Sequence, residues 1–178
     1  MKDNKALMIG VIGPSEALCT KDVYDFARRL GRMIVDMGYF VVCGGLGGVM
    51  EAACKGAYES EKYISGKTIG IIPTPDKSQA NKYCDIVIPT GIGFARNIIV
   101  ANSADIIVSL GGGSGTLSEI AFAWQMYRPI ICYDGFEGWS SELADRMLDT
   151  RREKPIIRAS SLEEIKSRII ELIDNPGI

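Results

Sequence analysis

The chain has 178 residues, of which 47% are hydrophobic and 24% are charged, as in an ordinary globular protein and unlike a disordered one. Its length favours one domain, so we expect residues 1–178 to fold as a single domain. The 20 basic and 22 acidic residues give a formal charge of −2, which argues against binding to nucleic acid or to an anionic membrane. The sequence contains no histidine, which excludes Ser-His-Asp and Cys-His nucleophiles, a histidine general base and His-containing metal sites.

Seven short apolar runs alternate with helical patterns along the chain. Most are rich in Val and Ile and apolar on both faces, as the buried strands of a parallel sheet are. The predicted strands are residues 7–12, 39–43, 68–72, 85–89, 105–110, 129–133 and 155–158. The alternation of strands and helices predicts an α/β fold, a doubly wound, mostly parallel Rossmann-like sheet of about seven strands with helices on both faces.

Turn and capping residues mark the ends of two helices and one long loop. Between the first two strands, apolar residues follow the i, i+3, i+4, i+7 spacing of a buried helix face, with Thr20 as its N-cap and Gly38 as its stop. The last helix is predicted to begin at Ser161, which forms a capping box with Glu164. Residues 73–83 form a loop long enough to act as a lid over a site.

The cysteines and the N-terminal segment indicate the compartment. Five cysteines form no C-x-x-C pair and no spacing typical of a metal site, so we expect neither a metal nor another cofactor. Cys43 and Cys132 lie inside predicted strands, and the odd count fits a reducing cytosol better than a disulfide scaffold. The apolar run 6–13 is too short to span a bilayer, and no cleavage site follows it. We therefore expect a soluble cytoplasmic protein without a membrane segment.

Two glycine clusters follow predicted strands directly. Gly44, Gly45, Gly47 and Gly48 come after the second strand, and residues 111–116 (GGGSGT) come after the fifth. Glycine permits a sharp turn into a helix and lets a phosphate approach the backbone N–H groups at the helix N-terminus. Neither cluster matches a P-loop or a G-x-G-x-x-G pattern, and one cluster alone is explained by a tight turn. Two clusters at the carboxyl ends of strands favour a shared anion-binding crevice.

Few ionisable residues lie near these turns. Glu51 and Glu119 occupy the early turns of the helices that follow the clusters, where compensation of the helix dipole is the ordinary explanation for a carboxylate. Arg96 precedes the fifth strand and is ordinarily explained as a solvated surface charge. The alternative is that Arg96 and Glu119 face one crevice, one pairing with substrate and the other stabilising a cation or activating water. Spacing alone favours the ordinary explanations.

Residues 111–119 (GGGSGTLSE) resemble the P-G-G-x-G-T-x-x-E motif of the LONELY GUY (LOG) proteins. Those proteins are cytokinin-activating phosphoribohydrolases that also carry the label "possible lysine decarboxylase". The resemblance covers most of the chain and is closest to a sub-branch related to molybdenum-cofactor carrier proteins. It implies a Rossmann-like homodimer that binds a nucleoside 5′-monophosphate. By this resemblance the phosphate is held by Gly112, Gly113, Gly115 and Thr116, and the catalytic residues are Arg96 and Glu119.

The sequence departs from the family motif at three positions, where Leu110 replaces the leading proline, Asn97 replaces a lysine and Glu51 replaces a small residue. Two functions therefore stay open. One is hydrolysis of the N-glycosidic bond of a nucleoside 5′-monophosphate, in which Glu119 stabilises the oxocarbenium-like transition state or positions water and Arg96 orients the ligand. The other is a non-catalytic carrier of the molybdenum cofactor, another pterin or a nucleotide. Lysine decarboxylation lacks support, because no pyridoxal-lysine site is recognisable.

Overall fold

The computed structural model describes residues 6–175, and its seven strands form one sheet. The strand order is β4-β3-β2-β1-β5-β6-β7, and every neighbouring pair is parallel. The strands are β1 (Met8–Ile12), β2 (Phe40–Cys43), β3 (Thr68–Ile72), β4 (Ile86–Pro89), β5 (Ile106–Gly112), β6 (Ile130–Gly138) and β7 (Ile157–Ala159). The parallel α/β fold expected from the sequence is confirmed.

Helices cover both faces of this sheet. They are α1 (Lys21–Asp36), α2 (Val49–Tyr58), α3 (Asn97–Ser103), α4 (Ser114–Gln125), α5 (Trp139–Leu143) and α6 (Leu162–Asp174). Buried side chains of α1, α2 and α6 join one apolar core, and those of α3 and α4 join a second core on the opposite face. This arrangement is the doubly wound architecture. Across residues 6–175, no helix has both the length and the apolar character needed to cross a membrane.

Local chemistry explains where the helices begin and end. The Thr20 side chain accepts a hydrogen bond from the Val23 N–H at 3.4 Å, and Gly38 follows α1 with φ +94°, a conformation that glycine adopts without strain. Ser161 caps α6 by accepting from the Glu164 N–H at 3.1 Å. The Glu164 carboxylate accepts from the N–H of Ser160, one residue earlier than in a standard capping box. The sequence therefore predicts both N-caps correctly. It is wrong about one hydrogen bond, because Glu164 accepts from Ser160 and not from Ser161.

The two glycines Gly31 and Gly56 let α1 and α2 pack closely. A Cβ atom at Gly31 would collide with the carbonyl of Ala53, and one at Gly56 would collide with the carbonyl of Arg28. Any side chain at either position would push the helices apart. This contact fixes α2 and therefore the turn that leads into it from β2.

Candidate functional site

A cleft of about 240 Å³ opens at the carboxyl ends of β1, β2 and β5. The sheet order runs from β1 toward β4 on one side and from β5 toward β7 on the other, so this cleft lies at the topological switch point of the sheet. Its lining includes six of the residues that the sequence singled out: Gly44, Arg96, Gly113, Gly115, Thr116 and Glu119. Residues from three separate segments of the chain thus share one site.

The N-terminus of α4 faces this cleft without a cap. The helix begins at Ser114, and its N-cap Gly113 has no side chain that could accept from the first-turn N–H groups. The first turn also holds no acidic residue, whereas α1 and α6 have both a capping side chain and an acidic first turn. Because first-turn N–H groups have no intrahelical partner and the helix dipole is positive there, this end suits an anion.

The glycines of the second cluster have different roles in the structure. A Cβ atom at Gly113 would meet only the Leu18 side chain, at 3.8 Å, so internal packing does not require a glycine there. Gly115 is similarly open. Gly112 has φ +91°, a Cβ there would collide with the Thr116 side chain, and it is not part of the cleft lining. Gly112 is therefore needed for the backbone path, whereas Gly113 and Gly115 leave space for a ligand.

Only Gly44 of the first cluster reaches the cleft. A Cβ atom at Gly44 would lie 2.5 Å from Nη2 of Arg96, so the missing side chain makes room for the guanidinium. The other three glycines lie outside the lining, Gly45 against Gly70, Gly47 beside Glu16 and Gly48 against the backbone of Pro14. Their placement is explained by packing of the turn, and it differs from the phosphate contact expected from the sequence.

Arg96 and Glu119 form a buried ion pair in the cleft. Arg96 ends a short 3-10 turn before α3, Glu119 lies on α4, and Nη1 of Arg96 is 3.6 Å from Oε1 of Glu119. Each side chain is 9% exposed. The ordinary explanations, a solvated arginine and a dipole-compensating glutamate, are therefore wrong for these residues. Glu51, in contrast, lies outside the cleft lining, near Tyr24, whose pKa is raised first by burial and then by the charge of Glu51.

Burial raises the pKa of Glu119 and leaves one N–H of Arg96 without a hydrogen-bond acceptor among the described residues. Loss of solvent raises the pKa of Glu119 to about 7, although the positive charge of Arg96 opposes the rise. The Nε atom of Arg96 is buried and has no hydrogen-bond partner within residues 6–175. A buried guanidinium N–H without an acceptor is costly, and a bound water, ion or ligand would relieve that cost.

Asn97 is a site residue whose role sequence reasoning missed. Its Oδ1 accepts from Nη1 of Arg96, while its Nδ2 donates to Oγ of Ser118 at 2.7 Å and to the carbonyl of Gly115 at 3.3 Å. The buried amide thereby fastens Arg96 to the first turn of α4. A lysine has donors only, so it has no acceptor to offer the guanidinium at this position.

The loop after β1 completes the lining, and the expected lid does not take part. The cleft lining includes the three residues that follow β1 directly, Gly13, Pro14 and Ser15. In the sequence, the only sign of this loop is the Gly-Pro pair, which is typical of a turn. The loop 73–83 contributes no residue to the lining. Its end is tied instead to the first glycine turn, because the Asn81 N–H donates to the carbonyl of Gly45 at 2.8 Å.

Folding also brings together three cysteines that their spacing along the chain does not associate. The Sγ atoms of Cys43, Cys54 and Cys84 all lie within 4.8 Å of one another. All five cysteines are free thiols in the described part of the chain. Spacing along the chain does not reveal this cluster, because the three residues come from β2, α2 and the segment before β4.

Two sequence relatives and two solved structures resemble this chain. An uncharacterized protein of Archaeoglobus fulgidus is 45% identical over 119 residues, 67% of this chain and 74% of that protein. A cytokinin riboside 5′-monophosphate phosphoribohydrolase of Mycobacterium marinum is 27% identical over 143 residues, 70% of this chain and 72% of that protein. The structure of the molybdenum cofactor binding protein from Rippkaea orientalis gives a TM-score of 0.83 at 34% identity and covers 96% of this chain and 99% of that one. The molybdenum cofactor carrier protein of Chlamydomonas reinhardtii gives 0.80 at 30%, covering 95% and 99%.

The family assignment rests on a match that spans most of the sequence. The model of the SLOG cluster4 family matches residues 6–166, which include every strand, the cleft and the first five helices. The LOG resemblance drawn from residues 111–119 agrees with this match and with the relatives above. The chain therefore belongs to the LOG-like SLOG cluster4 family.

Proposed function

We propose that the cleft binds a small phosphorylated molecule, nucleotide-like or pterin-type, through the first turn of α4 and Arg96. The observation that carries this proposal is a helix N-terminus that no side chain caps, in the same cleft as the buried Arg96 guanidinium, whose Nε has no acceptor anywhere in residues 6–175. A phosphate group accepts from both kinds of donor and matches their positive charge. The relatives named for binding a nucleoside monophosphate or the molybdenum cofactor support the same ligand class.

The cleft is too small to enclose a whole nucleotide or pterin. A volume of about 240 Å³ lies below the roughly 300–1,000 Å³ of typical ligand pockets. The phosphate end therefore occupies the cleft, and the ring system extends outward. At the rim, Phe94 is 88% exposed and Leu18 is 66% exposed, so both offer apolar surface to a planar ring.

Mass spectrometry of the small molecules that co-purify with the native protein identifies the ligand, and calorimetric titration with adenosine monophosphate tests the phosphate site. We expect binding that is lost in Arg96→Ala, which removes the unpartnered donor. Arg168→Ala is the matched control, because Arg168 pairs with Glu171 on exposed α6, away from the cleft. A wild-type protein that neither co-purifies with nor binds any phosphorylated compound contradicts the proposal.

Carriage without chemistry is the function that we place first. The cleft keeps its anion-binding features, while Asn97 stands where the family motif has a lysine and ties Arg96 to Ser118 and Gly115. The two molybdenum-cofactor proteins also resemble the chain over almost its whole length. A carrier has to bind its ligand tightly and in a defined orientation. The hydrogen bonds of Asn97 hold the Arg96 guanidinium in one position, from which it can do both.

Hydrolysis of an N-glycosidic bond is the second candidate, and Glu119 favours it. A carboxyl with a pKa of about 7, next to the phosphate site, is suited to stabilise developing ribosyl charge or to position water. The test incubates the protein with several nucleoside monophosphates and measures free base by chromatography. Base release that disappears in Glu119→Gln while ligand binding persists establishes the enzyme, and no release alongside tight binding establishes the carrier.

We also propose a cytoplasmic homodimer that forms at the rim of the cleft. The exposed side chains of Ile92, Phe94 and Ile98 provide an apolar surface there. Val100 of α3 and Ile120 and Trp124 of α4 are buried within the protomer and are not available to a second copy. Five free thiols agree with a reducing compartment.

A further inference from the structure

The three-cysteine cluster lies beneath the first glycine turn, outside the cleft. The Sγ atoms of Cys43 and Cys54 are 3.6 Å apart, and those of Cys54 and Cys84 are 3.8 Å apart. Cys43 and Cys54 are buried, whereas Cys84 keeps partial contact with solvent. The cluster therefore combines a dry interior with one accessible member.

These distances match a metal–thiolate centre. Metal–sulfur bonds of about 2.3 Å place the ligand sulfurs about 3.8–4.0 Å apart in tetrahedral or trigonal geometry. The observed spacings need only small adjustments to reach this range. A disulfide needs an S–S distance of about 2.05 Å, so it would require much larger movements of the same side chains.

The backbone and a neighbouring cation lie close to one sulfur of the cluster, Sγ of Cys43. Gly44, the residue after Cys43, packs against the Arg96 guanidinium, so a cation lies close to this end of the cluster. The Gly45 N–H lies 3.4 Å from Sγ of Cys43. Negative charge on this sulfur thus has a hydrogen-bond donor and a cation near it.

We propose that Cys43, Cys54 and Cys84 form a three-thiolate site for a soft d¹⁰ cation, and that Cu(I) is the ion it prefers. Soft thiolates select Cu(I) and Zn(II), and structural Zn(II) almost always takes four ligands. Within residues 6–175, no His, Asp or Glu joins the cluster as a fourth ligand. Cu(I) is satisfied by three thiolates. Binding displaces the thiol protons into solvent without any change in oxidation state, and the ion enters beside Cys84.

Occupancy of this site also affects the cleft. Cys43 directly precedes Gly44, whose missing side chain makes room for the Arg96 guanidinium. An ion that holds Cys43 against α2 and Cys84 would also fix the position of Gly44, against which the Arg96 guanidinium packs. The site is thus placed to couple metal binding to the geometry of the anion site.

Titration of the reduced protein with the Cu(I)–bicinchoninate complex under anaerobic conditions tests the proposal. We expect one Cu(I) per chain, a higher melting temperature in the Cu(I)-loaded protein, and weaker binding of Zn(II) measured with a colorimetric chelator. Cys43→Ala, Cys54→Ala and Cys84→Ser should each weaken Cu(I) binding by about 100-fold or more, because loss of an outer-shell partner alone costs roughly 10–100-fold. Cys132→Ala removes an equally buried thiol outside the cluster and should bind as wild type does.

Three results overturn the proposal. The first is a folded wild-type protein that leaves Cu(I) with the chelator. The cluster would then be three thiols that only pack against one another. The second is Zn(II) binding as tight as that of Cu(I). The third is an equal loss in Cys132→Ala and Cys84→Ser. Cys84 is partly exposed, so Cys84→Ser keeps the test decisive if the two buried variants fail to fold. Circular dichroism identifies any variant that is unfolded.

Discussion

Replacing Glu119 with glutamine keeps the shape of the side chain and removes the charge that the cleft has to bury. Burial raises the pKa of this carboxyl from 4.5 to about 7, and at about 1.36 kcal/mol per unit the ionised form costs the fold about 3 kcal/mol. Since the folded-state pKa lies above the unfolded one, the folded protein binds more protons between pH 4.5 and 7. Its stability therefore falls as the pH rises through that window and stays low above it. Glutamine, which is neutral at every pH, avoids this loss.

We therefore expect Glu119→Gln to be more stable than wild type by about 3 kcal/mol at pH 8, and to match wild type at pH 4.5 or below. For a chain of this length the difference at pH 8 corresponds to roughly 6–12 °C in melting temperature. Urea unfolding of both proteins across this pH range measures the effect. In the difference between their free energies of unfolding, the contributions of all other titrating groups cancel. Equal stability at pH 8 would refute the assignment of Glu119 as a buried, strained carboxylate. A stabilising substitution in the cleft also indicates that function, and not folding, requires the glutamate.

The remaining predictions concern the anion site, its support and assembly. Gly113→Val should abolish calorimetric binding of adenosine monophosphate while changing the free energy of unfolding by no more than about 1 kcal/mol, since the position is open and its φ of −99° is permitted to any residue; Gly112→Ala should instead destabilise the fold by about 1–3 kcal/mol because of its positive φ and its contact with Thr116. Asn97→Ala should cost about 1–3 kcal/mol in urea unfolding and weaken binding, because it takes an acceptor from Nη1 of buried Arg96 and a donor from Oγ of Ser118. We expect wild type to sediment as a dimer and Phe94→Asp as a 19.4 kDa monomer, and a wild-type monomer at micromolar concentration would contradict the proposed assembly.

The strands could be predicted because each is a short apolar run bounded by turn residues. The first six begin within one residue of the predicted position, and the N-caps Thr20 and Ser161 are the residues that the sequence indicated. The ends of β5 and β6 could not be predicted. Residues 134–138 lack a strand pattern, and they extend β6 because Gly138 pairs with Gly112 across a register shift. Pairing between distant segments leaves no periodicity in either of them.

The candidate site was predictable in its residue types and not in its contacts. Gly113, Gly115 and Thr116 could be found because a glycine-rich turn before a helix has a local signature. The pairing of Arg96 with Glu119 depends on how α3 and α4 pack on one face of the sheet, which no local pattern encodes. The same is true of Asn97 and of the cysteine cluster.

The ionisation of Glu119 also separates the two functions by their pH dependence. A bound phosphate adds negative charge beside this carboxyl and raises its pKa further, so ligand binding and proton uptake favour each other. Affinity for adenosine monophosphate should therefore decrease as the pH rises through about 7. Hydrolysis through an ionised Glu119 requires the opposite trend, because only the carboxylate stabilises developing positive charge. A carrier therefore gains from a protonated Glu119, whereas a hydrolase has to work against the pKa shift that its own ligand imposes, and this conflict is a further physical reason, beside the Asn97 network, for placing carriage first.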